Sequence, residues 1–212
     1  MSKIFLIRHG ESIANTQSIY QGQTYDTDLS PFGFQQVRRL ADRFYKIPIY
    51  RILASPLKRT LQTAQAVGYK KDIKVETEMQ IIETNHGLWE GKHKDIIAKD
   101  WSEIYKKWQK FPSTVRFPQG EHFLDTQKRV VGWWRGLDFK GEKHVLVITH
   151  DNIIRILIAA VLNMKLNRIW KFHLQPTSVT IIEMKDNQPK LLSLNDASHL
   201  GELQANLAIH AL

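Results

Sequence analysis

The chain predicts an α/β fold, a three-layer α/β/α sandwich on a mostly parallel sheet with a small cap insertion. Three observations carry this reading. Short β-branched and aromatic runs, Ile4-Phe5-Leu6-Ile7 and Val145-Leu146-Val147-Ile148-Thr149, have the length and composition of buried strands. Helical patterns stand between such runs, and strand–helix alternation gives a parallel sheet covered on both faces. The last two strand candidates meet through Asp186-Asn187 as a hairpin would, which makes one edge of the sheet mixed.

The elements follow in order. The first strand is expected over 3–8 and stops at Gly10. Ser30-Pro31 supplies an N-cap and an N1 proline for a helix to about Tyr45, with Val37, Leu40, Ala41 and Phe44 at helical spacing. A strand over 51–55 leads into a second Ser-Pro start, Ser55-Pro56, followed by Leu57, Leu61, Ala64 and Val67 at the same period. A strand over 73–76 comes next. The stretch 84–122 differs, being rich in Trp, Lys and turn residues. It is expected to hold one helix, roughly Lys94 to Lys110, before Pro112, Pro118 and Gly120 break the chain. This stretch reads as a cap folded over the strand ends, inside a single domain spanning 1–212. Strand 144–149 precedes a helix over Ile153–Leu162 that Asp151 can cap, and strands 178–184 and 190–194 close the pattern.

Bulk properties narrow the function classes. The 212 residues suit one sizeable domain, and 42% apolar with 24% charged content is ordinary for a globular protein. Cysteine is absent, which excludes disulfides, thiolate nucleophiles and cysteine-based metal sites. No apolar stretch is long enough to span a bilayer. A strand begins almost at once, leaving no room for a leader peptide, so a cytoplasmic location is expected. The net charge of +9 favours anionic ligands. Nucleic acid is not the expected partner, because no groove-reading or base-stacking motif is present.

The chemistry starts at the end of the first strand. Arg8-His9-Gly10 places a cation and an imidazole where ligands bind in open α/β sheets, beyond the carboxyl ends of strands. The strand at 145–149 runs straight into His150. Side by side and parallel, the two strands aim both histidines at one crevice. Two imidazoles and an arginine there suit a phosphoryl group. Arg59 lies in the first turn of the helix opened by Ser55-Pro56, and helix N-termini attract anions.

Taken together the motifs resemble the histidine phosphatase superfamily, the phosphoglycerate-mutase-like proteins. Arg8-His9-Gly10-Glu11-Ser12 with Asn15 looks like the opening motif, and Leu29-Ser30 with Gly33 and Gln36 like the next segment. Ser55-Pro56 with Arg59-Thr60 and Thr63-Ala64 resembles the second arginine motif. Glu83 with Gly87 and Trp89-Glu90-Gly91 is similar to the acid motif, Thr149-His150 with Arg155 to the second histidine motif, and Asn195-Asp196 with Ser198-His199-Leu200 to a common ending. The likeness runs through essentially the whole chain.

The resemblance implies metal-independent hydrolysis of a small phosphomonoester, with no cofactor. His9 is then the nucleophile, Arg8, Arg59 and His150 hold the phosphoryl oxygens, and Glu83 is the acid that protonates the leaving alkoxide. Glu90 is a competitor for that acid role. Asn15, Gln21, Gly22, Lys94 and Asn152 are the expected phosphate- and substrate-binding positions. A small phosphorylated substrate is the expected partner, and a homodimer is left open. The alternative is a cofactor-dependent phosphoglycerate mutase. Gly-Leu-Trp-Glu-Gly after Glu83 and the short cap resemble the phosphatase form, whereas Lys94 and Asn152 resemble mutase positions. A non-catalytic phosphate-binding module would be expected to lose the nucleophile or an arginine, and both are present.

Two departures from the family pattern bear on the site. Asp151-Asn152 stands where two glycines are usual, and Asp151 is expected to turn away from the phosphate and cap its helix. Gln119-Gly120-Glu121-His122 replaces Gly-Gly-Glu-Ser, and His122 reads as a helix-start residue. The lysines of the cap, Lys92 and Lys94 foremost, are expected to reach the pocket mouth and to select substrates with a second anionic group.

Overall fold

A computed structural model describes residues 2–137, 143–186 and 188–211. In chain order, the strands are β1 (Ser2–Arg8), β2 (Arg51–Ala54), β3 (Val75–Thr77), β4 (Val145–Thr149), β5 (Val179–Lys185) and β6 (Gln188–Asp196). The helices are α1 (Ile13–Thr16), α2 (Pro31–Phe44), α3 (Lys58–Lys71), α4 (Lys94–Asp100), α5 (Ser102–Lys110), α6 (Phe123–Gly136) and α7 (Asp151–Val161). The strands form one sheet in the order β3-β2-β4-β1-β5-β6. The pairs β2–β3, β2–β4 and β1–β4 are parallel, and β5 and β6 add an antiparallel edge. Asn187, in the turn expected to join β5 and β6, lies outside the described residues. No described helix is long and apolar enough to cross a membrane.

Alternation along the central strands feeds two cores. Phe5 and Ile7 of β1, with Leu146 and Ile148 of β4, face Leu40 and Phe44 of α2 and Val67 of α3. Ile4 and Leu6, with Val147, face the opposite core, which contains Ile154, Leu157 and Ile158 of α7 and Val130 of α6. That second core continues into an aromatic cluster. Trp108 of α5 packs edge-on against Phe117, Phe123 and Trp170 at centroid distances of 5.0, 4.8 and 5.0 Å. The cluster ties residues 84–122 to the body of the protein.

Several local expectations change. The 94–110 helix is two helices, because Trp101 leaves helical geometry at φ −125° and ψ 41° and ends α4 while starting α5. Ser55 does not cap α3; Leu57 occupies that position with no side-chain bond. The Ser55 hydroxyl lies instead against His150, and the free N–H of Lys58 at the helix start donates to Asp26 Oδ2. Nor does Asp151 cap the following helix. His150 holds the N-cap position of α7, and Asp151 is its first residue. The strand expected over 190–194 is longer, Gln188–Asp196, because its pairing with β5 begins at Lys185–Gln188.

Candidate active site

The register of the two central strands builds the floor of the site. Arg8 of β1 lies opposite Thr149 of β4, so His9 and His150 leave the sheet side by side. The His9 N–H donates to the Thr149 carbonyl at 3.0 Å, and the two imidazoles meet at a centroid distance of 5.4 Å. A cavity opens there, lined by Arg8, His9, Asn15, Ile19, Gln21, Arg59, Glu83, Asp151 and Ala211. Its free volume is about 20 Å³, room for roughly one water molecule.

His9 is set up with a free nitrogen. Its Nδ1 lies 2.7 Å from the Gly10 carbonyl, which only accepts, so Nδ1 carries the proton and Nε2 keeps its lone pair. Burial, then the charges of Arg59 and Arg8, hold the imidazole well below its usual pKa. Burial and Arg59 do the same to His150, whose Nε2 is 2.7 Å from the Ser55 hydroxyl. Both rings are therefore neutral at physiological pH.

The two arginines are held alike. Arg59 donates from Nη1 to Asp26 Oδ1 at 2.8 Å and from Nη2 to the Gly22 carbonyl at 3.1 Å. Arg8 donates from Nη1 to the Leu174 carbonyl at 2.7 Å, and the same nitrogen is 3.2 Å from Asp151 Oδ1. The Nε atoms of both are buried without a partner among the described residues, as is His150 Nδ1. Arg8 and Arg59 both line the cavity, and their two Nε–H groups are donors in want of an acceptor.

Glu83 is buried in the cavity wall and accepts a 2.7 Å bond from the Thr84 N–H. Burial pushes its carboxyl up to about 7, with Asp151 adding to the rise and Thr84 and Arg59 opposing it. Glu90, the other candidate acid, does not line the cavity. Its carboxylate ties down a loop by accepting from the N–H groups of Gln23, Thr24, Tyr25 and His86.

The expected binding positions divide. Asn15 and Gln21 line the cavity. Gln21 also braces its own loop, donating to Ser12 Oγ at 2.7 Å and accepting from Thr27 at 3.1 Å. Gly22 stays outside the wall, and a Cβ there would lie 2.0 Å from Glu90 Oε1, so glycine fits for packing reasons. Asn152 sits behind the floor, 3.2 Å from His86 Nε2. Lys94 is turned elsewhere, to the carbonyls of Ala208 at 2.8 Å and His210 at 3.4 Å. Lys92 lies 6.0 Å over the Trp101 ring. Neither lysine reaches the cavity wall. The expectation for Asp151 is reversed, since it faces Arg8 inside the cavity rather than away from it.

The sequence reading missed residues that build the mouth and the supports. Ile19 and Ala211 close the cavity. His210 is buried, with Nε2 3.3 Å from Glu11 Oε2, and the Ile209 carbonyl accepts from Ser18 Oγ. His86 donates from Nδ1 to the Gln21 carbonyl at 2.6 Å inside a cage that includes Tyr20 and Phe117. Asp26, the anchor of Arg59, lies with Asp28 in the segment just before Leu29-Ser30, and an acidic residue entering a motif was the one signal that could have marked it.

Comparison with known proteins agrees with this geometry. Residues 4–197 match the model of the histidine phosphatase superfamily (branch 1). Phosphoserine phosphatase 1 of Hydrogenobacter thermophilus is 34% identical over 99% of this chain and 100% of that protein. Among solved structures, Bacillus stearothermophilus YhfR superposes with a TM-score of 0.89 at 29% identity, over 94% of this chain and 100% of that one. Entamoeba histolytica phosphoserine phosphatase, in complex with 3-phosphoglyceric acid, gives 0.84 at 30% identity over the same shares, 94% and 100%. The chain belongs to branch 1 of the histidine phosphatase superfamily, on its phosphatase side.

Proposed function

We propose that this enzyme hydrolyses a small phosphomonoester through a phosphohistidine at His9. Nε2 of His9 attacks phosphorus in line with the leaving oxygen; the N–P bond forms as the P–O ester bond breaks. Glu83 gives its proton to the departing alkoxide. Water then attacks the phosphohistidine, Glu83 takes a proton from it, and the N–P bond breaks to release inorganic phosphate. Arg8 and Arg59 hold the equatorial oxygens and stabilise the transferring group. His150 and Asn15 add uncharged donors, and Gln21 lines the approach. Gly22, Lys94 and Asn152 act one step back, through the loop, the tail and His86. Residues 84–122 serve as a cap whose aromatic cluster steadies Glu83 and the 20–25 loop.

The observation that carries this reading is the paired state of the two key groups. His9 is neutral with Nε2 free, while burial holds Glu83 near 7 and so keeps a proton available. The 34% identity to a phosphoserine phosphatase makes phosphoserine the first monoester to try. The test is phosphate release in EDTA from phosphoserine, 3-phosphoglycerate, α-ribazole phosphate and an aryl phosphate, with a parallel mutase assay. Acid quenching during turnover should trap an acid-labile phosphoenzyme. Interconversion of phosphoglycerates without phosphate release would overturn the hydrolase reading.

A further inference from the structure

The catalytic pocket of a phosphatase is an unfavourable place for a permanent carboxylate, because it repels the phosphoryl dianion. Asp151 nevertheless lines this cavity and is buried. Its environment explains how it is tolerated. Oδ1 lies 3.2 Å from Arg8 Nη1 and accepts from Arg155 Nη2 at 3.3 Å, while Oδ2 accepts from Arg155 Nε. Arg155, one helical turn further along α7, is itself locked. It donates to the carbonyls of Ile169 and Phe172 at 2.6 Å each, and stacks within 5.0 Å of the Trp170 ring. A chain of fixed contacts thus runs from the aromatic cluster through Arg155 and Asp151 to Arg8.

We infer that Asp151 is a positioning residue for Arg8, braced from behind by Arg155, and that it sets the charge of the phosphoryl site as well as its shape. The inference rests on the proposed roles of Arg8 and Glu83. Arg8 Nη1 donates to the Leu174 carbonyl and is ion-paired with Asp151, and its Nε is left without a partner among the described residues. A guanidinium held on one side presents its remaining N–H groups in a fixed fork. Arg59 has the same kinds of partner, a carboxylate and a carbonyl, but meets them through two nitrogens, Nη1 to Asp26 and Nη2 to Gly22. The two anchors differ in placement, because Asp151 lines the cavity and Asp26 does not.

That placement gives Asp151 a second effect. Its negative charge acts on Glu83 across the cavity, and it offsets part of the Arg8 charge. Glu83 is faced by Arg59 and Arg129, which favour its ionised form, by the Thr84 N–H, which does the same, and by Asp151, which opposes them. Burial and the neighbouring arginines settle the state of Asp151 itself. Burial pushes its carboxyl up, but Arg155 and Arg8 together hold it below the usual range, so it remains ionised.

The experiment compares wild type with Asp151→Asn and Arg155→Lys. Asp151→Asn keeps the shape and removes the charge. Its kcat should fall by ~10- to ~100-fold, the scale of a misplaced transition-state contact. Inorganic phosphate, a simple product inhibitor, should bind more tightly, because the Arg8 charge is no longer offset. The alkaline limb of the pH–rate profile should move to lower pH, because Glu83 loses the neighbour that raises it. Arg155→Lys, which keeps the cation and loses the fork, should show a smaller fall in kcat with that limb unmoved. Calorimetric binding of phosphate to both variants supplies a readout independent of turnover and reports folding. A variant with unchanged kcat, phosphate affinity and pH profile but a lower Tm would overturn the inference, leaving Asp151 a structural residue. If Asp151→Asn fails to fold, an Arg155→Lys protein with wild-type kcat and phosphate affinity overturns it equally. A wild-type enzyme with no phosphatase activity would instead sink the underlying reading, and phosphate binding would still separate the two cases.

Discussion

The floor of the cavity and its mouth are built on different principles. The floor groups His9, His150 and Arg8 follow directly from two adjacent parallel strands, and Arg59 from the helix that follows a third. Each is within two residues of a regular element whose hydrogen bonds fix it. The mouth is assembled from segments far apart in sequence. Ala211 and Ile19 meet there because His210 reaches Glu11, Ser18 reaches the Ile209 carbonyl and Lys94 reaches the Ala208 carbonyl. A sheet fixes these groups through its backbone hydrogen bonds and leaves little freedom. A tail held mainly by side-chain contacts holds the opening with far less. Chemistry and access are therefore separable in this fold, and variants should divide the same way.

His9→Ala strikes the floor most directly. Without a nucleophilic nitrogen no phosphohistidine forms, so phosphate release should fall to background and acid-labile labelling by substrate should vanish. Turnover that survives in His9→Ala would place the attacking group outside the floor.

Glu83→Gln comes next. Loss of a general acid costs about 10²- to 10⁴-fold. The wild-type rate should decline as pH rises above about 7, where burial sets the Glu83 carboxyl, and that decline should be missing from the residual activity of the variant. Stability gives an independent sign. Folding raises the proton affinity of Glu83 from an unfolded value of ~4.3, so its contribution is fully present below that value and is lost as pH climbs through about 7. Thermal unfolding at pH 8 should therefore find Glu83→Gln more stable relative to wild type than at pH 5. An alkaline limb retained in Glu83→Gln assigns the titration to another group.

Arg59→Ala should cost ~100-fold or more in kcat/KM, the scale of one lost transition-state donor. Arg59→Lys should recover part of that, because charge returns without the fork. Near-wild-type kinetics for Arg59→Ala would mean that the Asp26–Arg59 pair is only a clamp on the 22–26 loop.

The floor was legible in the sequence because its signals are local. A β-branched run ending in Arg-His-Gly, and a second ending in His150, need only the parallel-strand rule to be brought together. Glu83 required a longer motif, since nothing local says that a glutamate before a loop will be buried. Asp151 was misread for a physical reason. Its position at a helix start is the ordinary place for a cap, and only the fold shows that Arg8 and Arg155 offer its carboxylate stronger partners. The placement of Lys94 against the tail was not legible, because its acceptors, the carbonyls of Ala208 and His210, lie more than a hundred residues away. No spacing in the sequence encodes that contact.

Lys94→Ala is the mildest change and tests the mouth directly. Ile19 and Ala211 are the partly exposed residues of the cavity wall, the others being buried, so substrate reaches the floor past them. The two Lys94 bonds hold the tail that carries Ala211, and hydrogen bonds to a charged donor contribute about 1.5–3 kcal/mol at most. Removing them should open the mouth more often and leave the floor intact. Activity on a bulky aryl phosphate should then rise a few-fold relative to phosphoserine, with kcat on phosphoserine nearly unchanged. Deleting residues 207–212 should move the same ratio further in the same direction. The opposite pattern is equally readable. If Lys94→Ala raises KM for a substrate with a second anionic group, and salt weakens that selectivity in the wild type, then Lys94 leaves the tail to meet substrate. The sequence-based expectation for the basic cap would then hold in the working enzyme, and the mouth would select for charge as well as size.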